Sequence, residues 1–256
     1  MSINIKKKKV FWGTIIVLAM IVCIVSASYI FLYFFSRNNS SEYINPTTTA
    51  IVEGTSDKSD NHNLNWAKMK KDNSDIYAWI YVPGTNVDYA VVQATEEEGD
   101  SFYLNKNLKK KYEFAGSIYS ELQNSKDFSD PVTLLYGHNM RNGTMFATLH
   151  KFEDSDFFKK NKYMYIYMPH HKLTYKIYAA YVYDDRHILN SFDFSDKTLL
   201  KQYFESTLNP TSMNKNTRKV DLNTNSKILT LSTCTNGAAD TRYLVQGVLT
   251  KDEQTD

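Results

Sequence analysis

Cysteine is nearly absent: the 256 residues hold two, Cys23 and Cys234. Cys23 lies in an uncharged apolar run, so Cys234 has no partner for an intramolecular disulfide in the rest of the chain, and a disulfide framework is excluded. A zinc site is disfavoured as well. The six histidines are scattered, and the one adjacent pair, His170-His171, would point to opposite faces of a strand. We read those two as turn or surface residues. The chain also lacks an excess of either charge. Formal net charge is +2, yet Lys6 to Lys9 outweigh that alone, leaving 26 bases against 28 acids beyond residue 36. Such a nearly neutral remainder has no electrostatic footprint for nucleic acid. Regular βαβ alternation is missing too, which points away from parallel α/β folds.

What is present begins with a long apolar run. Val10 to Phe35 is 26 residues without a charge, and ~20 apolar residues suffice to span a bilayer. A cleaved signal peptide has an apolar core of only ~7–15 residues before a small-residue site. Ser26-Ala27-Ser28 mimics such a site, but the run continues past it, so the segment reads as an uncleaved anchor. The lysine block precedes the span and only Arg37 follows it closely. The positive-inside rule therefore puts residues 1–9 in the cytoplasm and the bulk of the chain outside. Residues 36–62 are polar and read as an extracellular linker to one folded domain over 63–256. At 42% hydrophobic content the chain can bury one good core.

The domain opens on a short helix between Leu64 and Asp75. Strands are expected at Tyr77 to Val82, Tyr89 to Gln93, Gly116 to Ser120, Val132 to Tyr136, Tyr163 to Met168 and Tyr175 to Tyr183. They are short, aromatic and separated by turns, as in a closed or nearly closed mixed barrel. A helix capped by Ser195 or Asp196 carries Leu199, Leu200, Tyr203, Phe204 and Leu208 as a packing stripe and ends before Pro210. The chain closes on two strands, Ile228 to Cys234 and Arg242 to Val248. The seven residues Thr235 to Thr241 between them contain Asn236-Gly237, so the pair reads as antiparallel neighbours joined at one rim.

That rim carries the candidate chemistry. Cys234 ends one strand and Arg242 begins the next, within reach of one bound group. A lone cysteine is more often a small buried hydrophobe. Alternation, however, places Cys234 with Thr230 and Ser232, opposite Leu229 and Leu231, so it does not continue the apolar row. Among the histidines, His138 follows the buried-strand pattern Val132 to Tyr136 through Gly137 and sits where a strand opens onto a loop. His62 falls in the linker, His150 in a helix after Gly143, and His187 in the connection before the late helix.

Tyr136-Gly137-His138-Asn139, the run Thr230-Leu231-Ser232-Thr233-Cys234, and Arg242 eight residues beyond the cysteine together resemble the sortase family. The match extends over roughly residues 64 to 250. Trp79 to Gly84, Ala115 to Tyr119, and the helices before the barrel and before the cysteine strand are similar to class B. The resemblance implies a mostly β fold with added helices: an eight-stranded closed sortase barrel, an N-terminal helix, and a helix in the connection before the catalytic strand. It implies a membrane-anchored cysteine transpeptidase of Gram-positive bacteria. Such an enzyme cuts a C-terminal sorting signal of the NPxTx kind after its threonine and joins the acyl group, through a thioester, to a peptidoglycan amine.

On that reading Cys234 is the nucleophile, assisted as thiolate by neighbouring positive charge. His138 protonates the leaving amine and deprotonates the incoming one. Arg242 and the backbone N–H of Thr235 stabilise the oxyanion. Ser232 and Thr233 flank the nucleophile and shape the peptide groove or are ordinary strand residues, and Asp240 stays unassigned. No metal or other cofactor is expected; calcium, used by part of class A, has no acidic loop here. Two alternatives remain at this point: a cysteine hydrolase of surface peptides, and a non-enzymatic cell-surface binding domain.

Overall fold

The computed structural model describes the backbone of residues 2–38, 62, 64–235 and 240–255, and the chain divides into two compact units, Met1–Ser40 and Ser41–Asp256. The first is a single helix, α1 (Ser2–Asn38). Its segment Trp12–Leu32 has mean hydropathy 2.8 and is long and apolar enough to cross a membrane.

The second unit runs through α2 (Trp66–Asp72), β1 (Ile76–Tyr81), β2 (Asp88–Gln93), β3 (Ile118–Ser120), β4 (Val132–Tyr136), α3 (Ser155–Lys160), β5 (Tyr163–Met168) and β6 (His171–Asp184). It continues through α4 (Ile188–Ser191), α5 (Lys197–Leu208), β7 (Lys215–Thr217), β8 (Ile228–Cys234) and β9 (Thr241–Gln254). Hydrogen bonding orders the strands β5-β1-β2-β3-β4-β8-β9-β6, and a β5–β6 pairing closes the ring. Eight strands thus form the barrel, and the three-residue β7 adds itself to the outside of β6. Closure leaves no exposed sheet edge in the ring, which suits strands this apolar.

Two of the pairings are parallel, β2 with β3 and β4 with β8. A strand flanked in this way is covered on both faces and reads as a continuous apolar run, which is the character of Val132 to Tyr136. In β8 the alternation works as expected. Leu229 and Leu231 fill the barrel with Leu135, Ile118, Ile80, Val245 and Tyr243, closed off by Phe146, Leu149 and Phe152. Ile228 instead faces outward with Val132, Leu134, Tyr178 and Leu244 beneath α5, which contributes Leu200, Tyr203 and Phe204. Burying each of those three side chains contributes ~1.5–3 kcal/mol. A third cluster lies under α2, where Met69 packs with Ile76, Trp79, Val92 and Tyr103.

Asp196 is the residue that caps α5, its carboxylate accepting from the N–H groups of Thr198 (2.7 Å) and Leu199 (3.2 Å). Several expected boundaries move. The first helix of the domain is shorter than Leu64 to Asp75, because Asn65 caps it by accepting from the Lys68 N–H. β6 and β9 run longer than expected, each 14 residues, because they pair with one another along their whole length. His150 lies on a 3₁₀ helix, Ala147–Glu153. His62, expected in the linker, packs on the barrel: its Nε2 is 2.9 Å from Asp88 Oδ1 and its ring lies between Tyr81 and Tyr167. His170 occupies the turn before β6 with φ of 65°, and His171 pairs with Asp252 at the surface. Asn236-Gly237, expected to turn the last hairpin, lies outside the described residues.

Candidate functional site

Strand register brings the candidate residues together. β4 and β8 are parallel with Tyr136 opposite Ser232, so both chains leave the barrel at the same rim. His138 and Cys234 each lie two residues beyond that matched pair. β9 enters at the same rim, with Arg242 opposite Cys234, and β6 follows with Tyr183 opposite Arg242. Neighbouring strands lie ~4.8 Å apart, so an imidazole, a thiol and a guanidinium stand side by side on adjacent chains.

The three border one cleft of about 270 Å³ on the outer face of the barrel. Its floor is the outward row of the central strands: Leu134 and Tyr136, Ser232, and Leu244. Tyr183 near the end of β6, Asp185 to His187 in the connection and Ile188 at the start of α4 line the cleft too, as do Leu104 and Ser117. Cys234 is exposed at the end of an otherwise buried strand. Ser232 is buried on the same outward row. Thr233 is also buried and by alternation faces the barrel interior with Tyr243, so its backbone, between Ser232 and Cys234, is what adjoins the cleft.

His138 reaches its position through Gly137. A Cβ at Gly137 would come within 2.5 Å of Ile118 Cδ1 and 2.8 Å of the Phe146 ring, so only glycine lets the strand end approach this closely. The Gly137 N–H continues the ladder by donating to the Ser232 carbonyl at 3.2 Å. The His138 ring stacks on Phe114, and its Nε2 is 2.8 Å from the Leu104 carbonyl. A carbonyl only accepts, so Nε2 carries the hydrogen. Burial lowers the His138 pKa, and the Leu104 contact offsets part of that shift.

Arg242 donates from Nη1 to the Thr241 carbonyl at 3.1 Å. The neck of the hairpin is closed by a contact between the Thr235 and Thr241 hydroxyls and by the Thr235 N–H, 3.4 Å from the Thr241 carbonyl. Asp240 is an exposed turn residue. The cleft-lining phenols of Tyr119 and Tyr136 have pKa values raised by burial and stay protonated. Among the described residues, no three His, Cys, Asp or Glu side chains group as metal ligands.

Other residues of the site were not singled out from the sequence. His187 lines the cleft and donates from Nε2 to the buried Glu121 carboxylate at 2.8 Å, with Nδ1 accepting from the Asn190 N–H. Burial raises the Glu121 pKa, the His187 contact opposing it. Arg186 grips Asp184 through Nε and Nη2 and lies over the Tyr183 ring. At the Cys234 carbonyl stand Asn139 and His150, and Glu153 meets the other ring nitrogen of His150.

A family profile described as the sortase domain matches residues 80–250, well over half of the chain. The chain belongs to the sortase family. It is similar to sortase B of Listeria monocytogenes, with 29% identity over 166 residues covering 65% of each chain. Among solved structures it is similar to Clostridium perfringens sortase B, 33% identical with a TM-score of 0.62 over 72% of this chain and 99% of that one. A Staphylococcus aureus sortase B–substrate complex is also similar, at 26% identity and a TM-score of 0.63 over 72% of this chain and 84% of that one. The chain thus spans just under two thirds of the Listeria relative's length. Its similarity is to class B, and the closed eight-strand barrel with a few helices agrees with the fold of these sortase B structures.

Proposed function

We propose that this sortase is a membrane-anchored cysteine transpeptidase acting on a sorting signal of the NPxTx kind in secreted proteins. The observation that carries the reading is the pairing of Cys234 with Arg242 across β8 and β9, in a cleft that His138 also lines. The substrate complex known for a similar sortase B supports a peptide in such a cleft. Helix α1 supports the anchor, with its lysine block on the cytoplasmic side and the barrel outside the cell.

In the reaction the Cys234 thiolate forms a bond to the carbonyl carbon of the signal's threonine, and the carbonyl electron pair moves onto oxygen. Arg242 cannot serve as a base, but its rigid fork of donors holds the peptide and the oxyanion. A preorganised donor of this kind contributes ~10²–10³ in kcat. The Thr235 N–H, today on the Thr241 carbonyl at 3.4 Å, is the second donor once it turns to the substrate. Collapse breaks the C–N bond, and His138 passes a proton to the departing amine. With Nε2 committed to Leu104, Nδ1 is the nitrogen that carries this proton. An amine of peptidoglycan then attacks the thioester, gives its proton to His138 and expels the Cys234 thiolate. Ser232 shapes the groove floor and Thr233 supplies groove backbone. No cofactor is required.

The test uses the full-length chain in detergent, wild type beside Cys234→Ala, His138→Ala and Arg242→Ala, with fluorogenic sorting peptides and with or without an added amine. Cleavage after threonine, an amine-linked product and loss of both in all three variants are expected. Cleavage that never yields an amine-linked product with any acceptor assigns a hydrolase instead. Wild-type turnover equal to that of Cys234→Ala would remove the enzymatic reading altogether.

A further inference from the structure

The backbone ladder between β4 and β8 ends with the Gly137 N–H on the Ser232 carbonyl. One rung further, the Cys234 carbonyl is met by side chains: Asn139 Nδ2 at 2.9 Å and His150 Nε2 at 3.0 Å. The His150 ring is itself held firmly. Its Nδ1 is 2.6 Å from Glu153 Oε1, its Nε2 is 3.1 Å from Asn139 Nδ2, and its face stacks on Tyr243 with centroids 4.7 Å apart. A carboxylate only accepts, so Nδ1 carries a hydrogen. Nε2 then accepts from Asn139 when bare and donates to the Cys234 carbonyl when protonated, so either form leaves it partnered.

The cluster touches all three candidates of the proposed reaction through the backbone. Asn139 follows His138, Tyr243 follows Arg242, and the clamped carbonyl belongs to Cys234 itself. Holding this carbonyl fixes the plane of the Cys234–Thr235 peptide, and with the β8 ladder holding the chain on the other side of Cα it limits rotation about Cα–C and so restrains the direction of the Cys234 Cα–Cβ bond. On the β9 side the strand end is paired, Arg242 opposite Cys234; on the β4 side the ladder stops at Ser232, so this grip is what restrains that side against fraying.

We propose that His150, oriented by Glu153, is a positioning residue for the nucleophile: its Nε2 holds the Asn139 amide that donates to the Cys234 carbonyl, or donates to that carbonyl itself when both ring nitrogens carry hydrogen, and so aims the thiol between His138 and Arg242. This rests on Cys234 being the nucleophile. His150 touches no reacting atom. Its loss should therefore leave substrate affinity alone and slow thioester formation, because a small misplacement of a reacting group costs rate steeply.

Two substitutions at His150 separate the clamp from mere packing. His150→Phe keeps the stack on Tyr243 and removes both ring nitrogens, whereas His150→Gln restores an amide donor near the place of Nε2. In the full-length chain, His150→Phe is expected to lower kcat for peptide cleavage about 10- to 100-fold with KM within about two-fold. His150→Gln is expected within about three-fold of wild type, with similar melting temperatures for both. Wild-type kcat in His150→Phe, or equal impairment of the Gln and Phe variants at unchanged stability, overturns the clamp while a Cys234 thioester in the wild type leaves the catalytic reading standing. Should His150→Phe unfold, Glu153→Gln carries the test, with an expected kcat loss of about three-fold or more and unchanged KM; an unchanged kcat there also overturns it. A wild type that forms no thioester removes the nucleophile assignment itself, and the clamp with it.

Discussion

His138 shows how a single side chain is set by its surroundings. Burial against Phe114 disfavours the imidazolium, so its pKa is lowered from the ordinary value. A group that binds protons less readily folded than unfolded makes stability rise with pH across the interval between its two pKa values. For His138 that contribution is present above about pH 6.5, the unfolded value, and is lost as pH falls towards the folded one. An NMR titration of the His138 ring should therefore show a midpoint below about 6.5, and a midpoint above it would contradict the burial argument. At Arg242 the shape of the side chain matters as much as its charge. Arg242→Lys keeps the charge but loses the planar fork, and should lower kcat about 100-fold with little change in melting temperature. Retained turnover would mean that charge alone suffices. Cys234, His138 and Arg242 were legible because each stands beside an apolar strand pattern, at a place where side chains meet solvent. His150 was not, because its partner is a backbone carbonyl 84 residues away that no local pattern announces, and Glu153 enters only through His150.

At the scale of the element, the decisive feature is that β4 and β8 are parallel. The sequence shows two buried runs, Val132 to Tyr136 and Ile228 to Cys234, but not their relative direction, since nearly a hundred residues separate them and the pairing is purely tertiary. The β8–β9 hairpin was legible, because a short turn forces an antiparallel pair whatever the rest of the fold does. Helix α5 was legible from its stripe and its acidic cap. Its seat depends on a polar cluster that periodicity does not reveal: Tyr181 donates to Gln246 Oε1 at 3.0 Å, and Gln246 Nε2 donates to Thr230 Oγ1 at 2.9 Å and to Tyr203 Oη at 3.2 Å. All four residues are buried between the barrel and α5. Gln246→Leu would strand these hydroxyls and should cost on the order of 2–3 kcal/mol, read as a lower urea midpoint at unchanged slope. An unchanged midpoint would mean that the hydroxyls find other partners.

At the scale of the whole molecule, the barrel closes through β5 and β6, and residues just before α2 pack on it. Leu64 is buried, and His62 sits between Tyr81 and Tyr167 against Asp88. Composition alone placed His62 in the linker, because its partners lie on strands that only the closed barrel brings near. A chain beginning at Asn65 should therefore melt about 2–4 °C below one beginning at Ser56, the shift expected for roughly 1 kcal/mol in a domain of this size. Equal melting temperatures would return His62 to the linker. Formation of a thioester between Cys234 and a sorting signal is read by intact mass. Full-length protein in detergent is incubated with an NPxTx peptide and quenched in acid. The expected result is an added mass equal to the acyl fragment ending in threonine, located on Cys234, released by hydroxylamine, and absent from Cys234→Ala. A wild type that turns the peptide over with no such adduct at any time, or an adduct that persists in Cys234→Ala, would contradict it.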